Sequence, residues 1–106
     1  MDLKERRGVG SQISAPSGEA LEIALAWPLS RSILEYLIAN ERAIDTADGI
    51  AMWWVNSSVV AVQLALDRLV ACGAMTRRWS GSRSLYGLNG HPGVRDWLCE
   101  ALERLK

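Results

Sequence analysis

Apolar residues recur at helical spacing over most of the chain before Gly73 and predict four helices. These are Glu19–Trp27, a second from Ser30 to Asn40, a third from Asp45 or Thr46 to Val55, and a fourth from Ser57 to Cys72. Pro28 separates the first two helices, and Gly73 suits the left-handed position that follows the fourth. On the fourth helix, the predicted core stripe is Val59, Val62, Leu66, Leu69 and Val70.

The pattern changes after Gly73. Met75–Trp79 and Ser84–Leu88 flank a loop with a glycine, Ser80–Arg83, which is typical of a β-hairpin. From Val94 onward, apolar residues again follow helical spacing and predict a last amphipathic helix. The whole pattern therefore predicts an α+β fold that is mostly α.

The N-terminal segment Met1–Gly18 mixes charged residues with glycine, serine and proline and has no apolar period. Such a composition predicts a flexible tail. A length of 106 residues and an apolar content of 49% are typical of one small globular domain, so residues 19–106 are expected to form a single domain.

Charge and apolar runs narrow the choice of function. The twelve basic and twelve acidic residues give a net charge of zero, so a nucleic-acid partner would have to bind a local basic patch. The longest apolar runs, such as Ile50–Val55, are far shorter than the roughly 18 residues of a membrane span. No membrane partner and a cytoplasmic location are therefore expected.

The sequence offers little to support enzyme or metal chemistry. Cys72 and Cys99 have no CxxC spacing, and His91 is the single histidine, so we expect reduced thiols and no metal. There is no glycine-rich phosphate loop and no nucleophile elbow. Asp45 and Asp48 lie at a predicted helix N-terminus, where acidic residues are expected because they meet the positive end of the helix dipole. We expect neither an enzyme nor a cofactor.

Three short motifs resemble those of the winged helix-turn-helix transcriptional regulators of the ArsR-like and MarR-like kind. Leu66–Arg78 resembles the end of the recognition helix, the glycine turn and the first wing strand. Ile50-Ala51 resembles the second-helix signature, and Ser84–Leu88 the returning wing strand. The resemblance implies a winged helix-turn-helix with a two-stranded wing, to which this chain adds a C-terminal helix.

The resemblance to this family also implies that the helix Ser57–Cys72 enters a major groove of double-stranded DNA while the wing contacts the backbone or minor groove. The expected DNA-binding residues are Ser57, Ser58, Gln63, Arg68, Arg77, Arg78 and Arg83. Guanidinium groups of the wing suit phosphates and narrow minor grooves, the serines suit phosphates, and Gln63 suits a base edge.

Two observations favour a different partner. The segment Glu41–Val70 has a net charge of −2, and Val60 and Leu64 form a second apolar strip on the fourth helix. That strip suits thymine methyl groups, but it fits at least as well against protein. The alternative function is a winged-helix protein–protein interaction module without DNA binding. Trp53 and Trp54 point about 100° apart on one helix, so one of them is expected at an edge or interface.

The apolar stripe of the last helix has two interpretations. It can supply a homodimer interface, which would place two recognition helices about one DNA turn apart. Packing against Leu21–Trp27 within one chain explains the same stripe. The homodimer is the favoured expectation.

Overall fold

The computed structural model describes residues 9–105, which form five helices and one four-stranded antiparallel sheet. The helices are α1 (Gly18–Leu25), α2 (Pro28–Ala39), α3 (Ala47–Trp54), α4 (Val59–Ala71) and α5 (Val94–Arg104). The strands are β1 (Val9–Gln12), β2 (Ile44–Asp45), β3 (Met75–Ser80) and β4 (Arg83–Leu88). The predicted α+β class, mostly α, is confirmed.

Side chains cap three of these helices. The hydroxyls of Ser17, Thr46 and Ser58 accept hydrogen bonds from backbone N–H groups in the first turns of α1, α3 and α4. The predicted start of the second helix at Ser30 is wrong, because α2 begins at Pro28, whose fixed φ suits the first helical position. Ser30 instead lies buried inside α2.

Helix α3 begins with an α-helical turn, Ala47–Gly49, and continues as a π-helical segment, Ile50–Trp54. Trp54 stacks on Tyr36 of α2, with ring centroids 4.6 Å apart. Trp53 is 73% exposed. The expectation that one of the two tryptophans lies at an edge is therefore confirmed.

The strand order of the sheet is β1-β3-β4-β2. Strands β3 and β4 form the predicted hairpin, with Ser80 opposite Arg83 and a turn at Gly81, whose φ is +66°. Strand β2, which the sequence pattern did not predict, pairs with β4 on the other side, with Ile44 opposite Gly87. The hairpin is thus held by a short strand that precedes α3.

Part of the predicted N-terminal tail belongs to the domain. Strand β1 pairs with β3, and the Trp79 indole lies against Gly10, where a Cβ atom would be 2.5 Å from the ring. The Ser17 N–H also donates to the Cys72 carbonyl. The tail assignment is therefore wrong for residues 9–18, since the open edge of β3 supplies partners that composition does not reveal. Residues 1–8 lie outside the described part of the chain.

The core lies between the helices and one face of the sheet. Its largest fully buried side chains include Ile33 and Leu37 of α2, Leu66 of α4 and Met75 of β3. The predicted stripe of α4 is confirmed at Val62, Leu66, Leu69 and Val70. Val59 is exposed, which corrects the prediction for that residue, because it is the first residue of the helix and precedes the packed turns.

The apolar stripe of α5 is covered within the chain. Helix α5 packs against α2, and Val94, Leu98, Ala101 and Leu102 are buried. Arg95 reinforces this contact, with its Nε 2.5 Å from a Glu41 carboxylate oxygen. The predicted homodimer rested on this stripe, which has its partner inside one chain, so the dimer is not carried into the proposed function.

Within residues 9–105, no single helix is long and apolar enough to cross a membrane. Helices α3 and α4 reach the required length and composition only together, and the pair is bent by 110°.

The sharp end of α4 depends on Gly73, whose φ is +88° and where a Cβ atom would lie 2.6 Å from the Pro16 Cα atom. We expect Gly73→Ala to lower the free energy of unfolding by about 2 kcal/mol or more, because a left-handed backbone and a backbone clash add up. Urea denaturation measures the effect. Gly90→Ala is the matched control, since a Cβ atom there meets nothing within 4 Å. Equal free energies of unfolding for the two variants would contradict the structural role assigned to Gly73.

Candidate functional site

An open groove of about 600 Å³ separates the β3–β4 hairpin from the helices. One wall is formed by Thr46 and Asp48 at the start of α3 and by Gln63 of α4. The other wall is the hairpin, with Arg77, Tyr86 and residues 82–84 at its turn. This groove is the place where the two predicted DNA-contacting elements, α4 and the hairpin, meet.

Tyr86 joins the two walls at the bottom of the groove. Its side chain is buried, and its hydroxyl oxygen accepts hydrogen bonds from the Gln63 amide (2.9 Å) and from the Arg77 Nε (3.1 Å). The Arg77 guanidinium also lies over the Tyr86 ring, 5.3 Å from its centroid. One phenol oxygen therefore contacts both a helix side chain and a strand side chain.

Asp67 of α4 completes this cluster. Its Oδ1 atom lies 2.8 Å from the Arg77 guanidinium and also accepts a hydrogen bond from the Gln63 amide, at 3.1 Å. Gln12 of β1 accepts a weaker bond, at 3.5 Å, from the same guanidinium. The Asp67–Arg77 pair is partly exposed, so we regard it mainly as a geometric link between helix and hairpin.

Two of the predicted DNA-binding residues, Gln63 and Arg77, therefore lie in the groove with their donors committed inside the chain. The amide nitrogen of Gln63 bonds to Tyr86 and Asp67, and Arg77 bonds to the same two residues. Donation from the Gln63 amide nitrogen to DNA would require it to leave one of these partners. The structure thus gives both residues a positioning role that the sequence pattern did not indicate.

The other predicted arginines are distributed over different surfaces. Arg83 is exposed at the turn and lines the groove, and its side chain makes no hydrogen bond or ion pair within residues 9–105. Arg78 is exposed too, but strand alternation places it on the opposite face from Arg77. Arg68 of α4 lies over the Trp27 ring, 5.2 Å from its centroid. The structure therefore does not bring these three arginines into one patch.

The two predicted serines lie just before α4. Both are exposed, and the Ser57 N–H donates to the Ala51 carbonyl of α3. The Ser58 hydroxyl accepts a hydrogen bond from the Ala61 N–H, and it keeps its own hydrogen for donation. The serines thus lie at the N-terminus of α4, where the positive end of the helix dipole favours anions.

The balance of charge in the groove is close to neutral. Arg77 and Arg83 are its basic residues, while Asp48 lines the groove and Asp67 pairs with Arg77. Once that pair is formed, Arg83 is the basic side chain left to attract an anion from the groove side. Phosphate attraction therefore depends on the hairpin turn rather than on α4.

Sequence reasoning missed the roles of Tyr86 and Asp67. The spacing of Gln63 and Asp67, four residues apart on one helix, was a signal that their side chains could bond. The pairing of Arg77 opposite Tyr86 follows from the hairpin register, which a turn at Gly81 would have indicated.

Among residues 9–105, no group of three His, Cys, Asp or Glu side chains is placed to hold a metal ion. Comparison of the chain with family models, curated proteins and solved structures found no match.

The Tyr86 hydroxyl should contribute measurably to stability. We expect Tyr86→Phe to lower the free energy of unfolding by about 1 to 2 kcal/mol, because the Gln63 amide and the Arg77 guanidinium lose a shared acceptor. Tyr36→Phe is the control, since the Tyr36 ring stacks on Trp54 and its hydroxyl makes no hydrogen bond within residues 9–105. Urea denaturation of both variants provides the comparison, and an equal effect would argue against a special role of Tyr86.

The two cysteines should differ in reactivity. Burial raises the pKa of the Cys72 thiol, whereas Cys99 is only half-buried. Because the thiolate is the reactive form, a higher pKa leaves Cys72 less reactive at any pH below it. With a chromogenic disulfide reagent at pH 8, we expect Cys99 to react first and Cys72 only after unfolding in urea. Rapid reaction of a Cys99→Ala variant under native conditions would refute this order.

Proposed function

We propose that this protein binds double-stranded DNA through a winged helix-turn-helix and acts as a transcriptional regulator. The observation that carries the proposal is the angle of 110° between α3 and α4, which are separated by four residues. Paired helices at about 90–120° with a short turn are typical of helix-turn-helix motifs. In such motifs the second helix, here α4, enters the major groove.

The arrangement of strands around this helix pair supports the same proposal. The hairpin β3–β4 follows α4 directly, and β2, which precedes α3, pairs with β4. This pairing fixes the hairpin beside α4, so that both elements can reach one DNA duplex. The proposal thus assigns the hairpin the role of a wing.

The DNA contacts we propose follow from the exposed groups. An α-helix about 10–12 Å wide fits a major groove about 12 Å wide, with the exposed side of α4 toward the bases. Ser57 and Ser58 would donate to a phosphate at the start of α4, and Arg83 would contact the neighbouring backbone or minor groove. Arg78 and Arg68 would add attraction from their own surfaces.

Arg77 has a different role in this proposal from the one the sequence indicated. Its pairing with Asp67 removes a negative charge from the DNA-facing side of α4 and fixes the hairpin at the same time. Gln63 is likewise assigned to positioning rather than to reading a base edge.

A second candidate function is a protein-interaction module without DNA binding. It is favoured by Met52 and Trp53 on α3, which are 62% and 73% exposed. Tryptophan and methionine are enriched at protein interfaces. The DNA-binding experiment separates the two candidates.

The test is fluorescence-anisotropy titration of a mixed-sequence DNA duplex over a series of salt concentrations from about 50 to 200 mM. We expect binding that weakens with salt, because arginines displace counterions from phosphates. Arg83→Ala should weaken binding to all sequences and reduce the slope of log K against log salt by about 1. Arg104→Ala, which removes an exposed arginine in the last turn of α5, is the matched control.

Absence of binding at low salt would remove the DNA proposal and leave the protein-interaction candidate. Equal loss of affinity in the Arg83 and Arg104 variants would show that only overall charge matters and would contradict the contact assigned to the hairpin.

A further inference from the structure

The DNA-facing side of α4 carries an apolar stripe. Val60 is 74% exposed and Leu64 is 51% exposed, and the two lie one helical turn apart. The stripe ends at Asp67, whose carboxylate is paired with Arg77. Val60 and Leu64 are therefore the most exposed large apolar side chains of α4.

The polar side chains beside this stripe are already engaged. The Gln63 amide bonds to Tyr86 and Asp67, and Arg68 lies over the Trp27 ring. Donation from the Gln63 amide to a base edge would break one of its two hydrogen bonds, so hydrogen-bond readout gains little from that amide. What α4 offers to the bases is apolar surface.

We propose that Val60 and Leu64 of α4 recognise thymine through its C5-methyl group in the major groove. The inference rests on the proposed DNA binding and names the base that the helix would prefer. The thymine methyl is the apolar feature that unmodified base pairs present in the major groove, and aliphatic side chains contact it directly.

The polar and charged groups near the stripe also suit DNA. Arg83 at the hairpin turn lies along the groove that Gln63 of α4 also lines, and its side chain has no partner within residues 9–105. Ser57 and Ser58 are exposed at the start of the same helix. Groups suited to phosphates therefore flank the apolar stripe, as the backbones of a duplex flank the methyl groups in its major groove.

The spacing of the two side chains limits the sequence they would read. Positions four residues apart rise about 6 Å along a helix, and base pairs are stacked about 3.4 Å apart. Val60 and Leu64 therefore span about two base-pair steps. The preferred site should contain thymines one or two steps apart at its centre.

The experiment begins with selection of preferred duplexes from a random library by the intact protein. A selected duplex is then made in two forms, one with thymine and one with deoxyuridine at the central positions, which removes only the methyl groups. We expect the uracil duplex to bind about fourfold more weakly for each methyl that is contacted, as the transfer of one such group from water implies.

Substitutions on α4 test whether Val60 and Leu64 cause the difference in affinity between the thymine and uracil duplexes. The double substitution Val60→Ala and Leu64→Ala should abolish the preference for thymine over uracil. It should leave the fold intact, because both side chains are exposed; circular dichroism checks this. Ile23→Ala, which shortens an apolar side chain exposed to 67% on α1, is the control and should retain the preference.

Each outcome bears on the inference. Selected sites without thymine, or equal affinity of the wild type for both duplexes, would overturn it while leaving DNA binding intact. A double variant that still prefers thymine would overturn the assignment to Val60 and Leu64. If no duplex binds even at low salt, the proposed function itself fails, and the stripe becomes the candidate surface for a protein partner.

Discussion

The hydroxyl group of Tyr86 is the contact on which the geometry of the groove depends. Its ring is buried in the core, while its oxygen accepts hydrogen bonds from Gln63 of α4 and from Arg77 of β3. Since Tyr86 belongs to the hairpin, its hydrogen bond with Gln63 links the hairpin to α4, while its hydrogen bond with Arg77 orients the guanidinium within the hairpin. The Asp67–Arg77 pair links the same two elements and adds to this constraint.

That constraint also determines which charges remain outside. By pairing with each other, Asp67 and Arg77 cancel on the surface where α4 and the hairpin meet. Attraction to an anion is then concentrated at the hairpin turn, and the exposed side of α4 is apolar at Val60 and Leu64. The charged and the apolar groups of this face therefore lie at separate places.

The helices and the hairpin could be predicted because their signals are local. A 3.6-residue period, Pro28, and the turn glycines Gly73 and Gly81 act within a few residues. Strands β1 and β2 were missed because they are four and two residues long and exist through pairing with distant strands. The groove cluster was missed for a similar reason, since Gln63 and Tyr86 are 23 residues apart and meet only after the hairpin packs on α4.

The two outer strands give the sheet short edges. On one side β2 contributes two residues, and on the other β1 covers β3 with a glycine and a serine at its centre. Long unpaired strand edges are templates for pairing with other molecules, and short ones offer few free N–H and C=O groups. Strand β1 therefore shields β3 from edge-to-edge aggregation, and β2 covers part of the outer edge of β4.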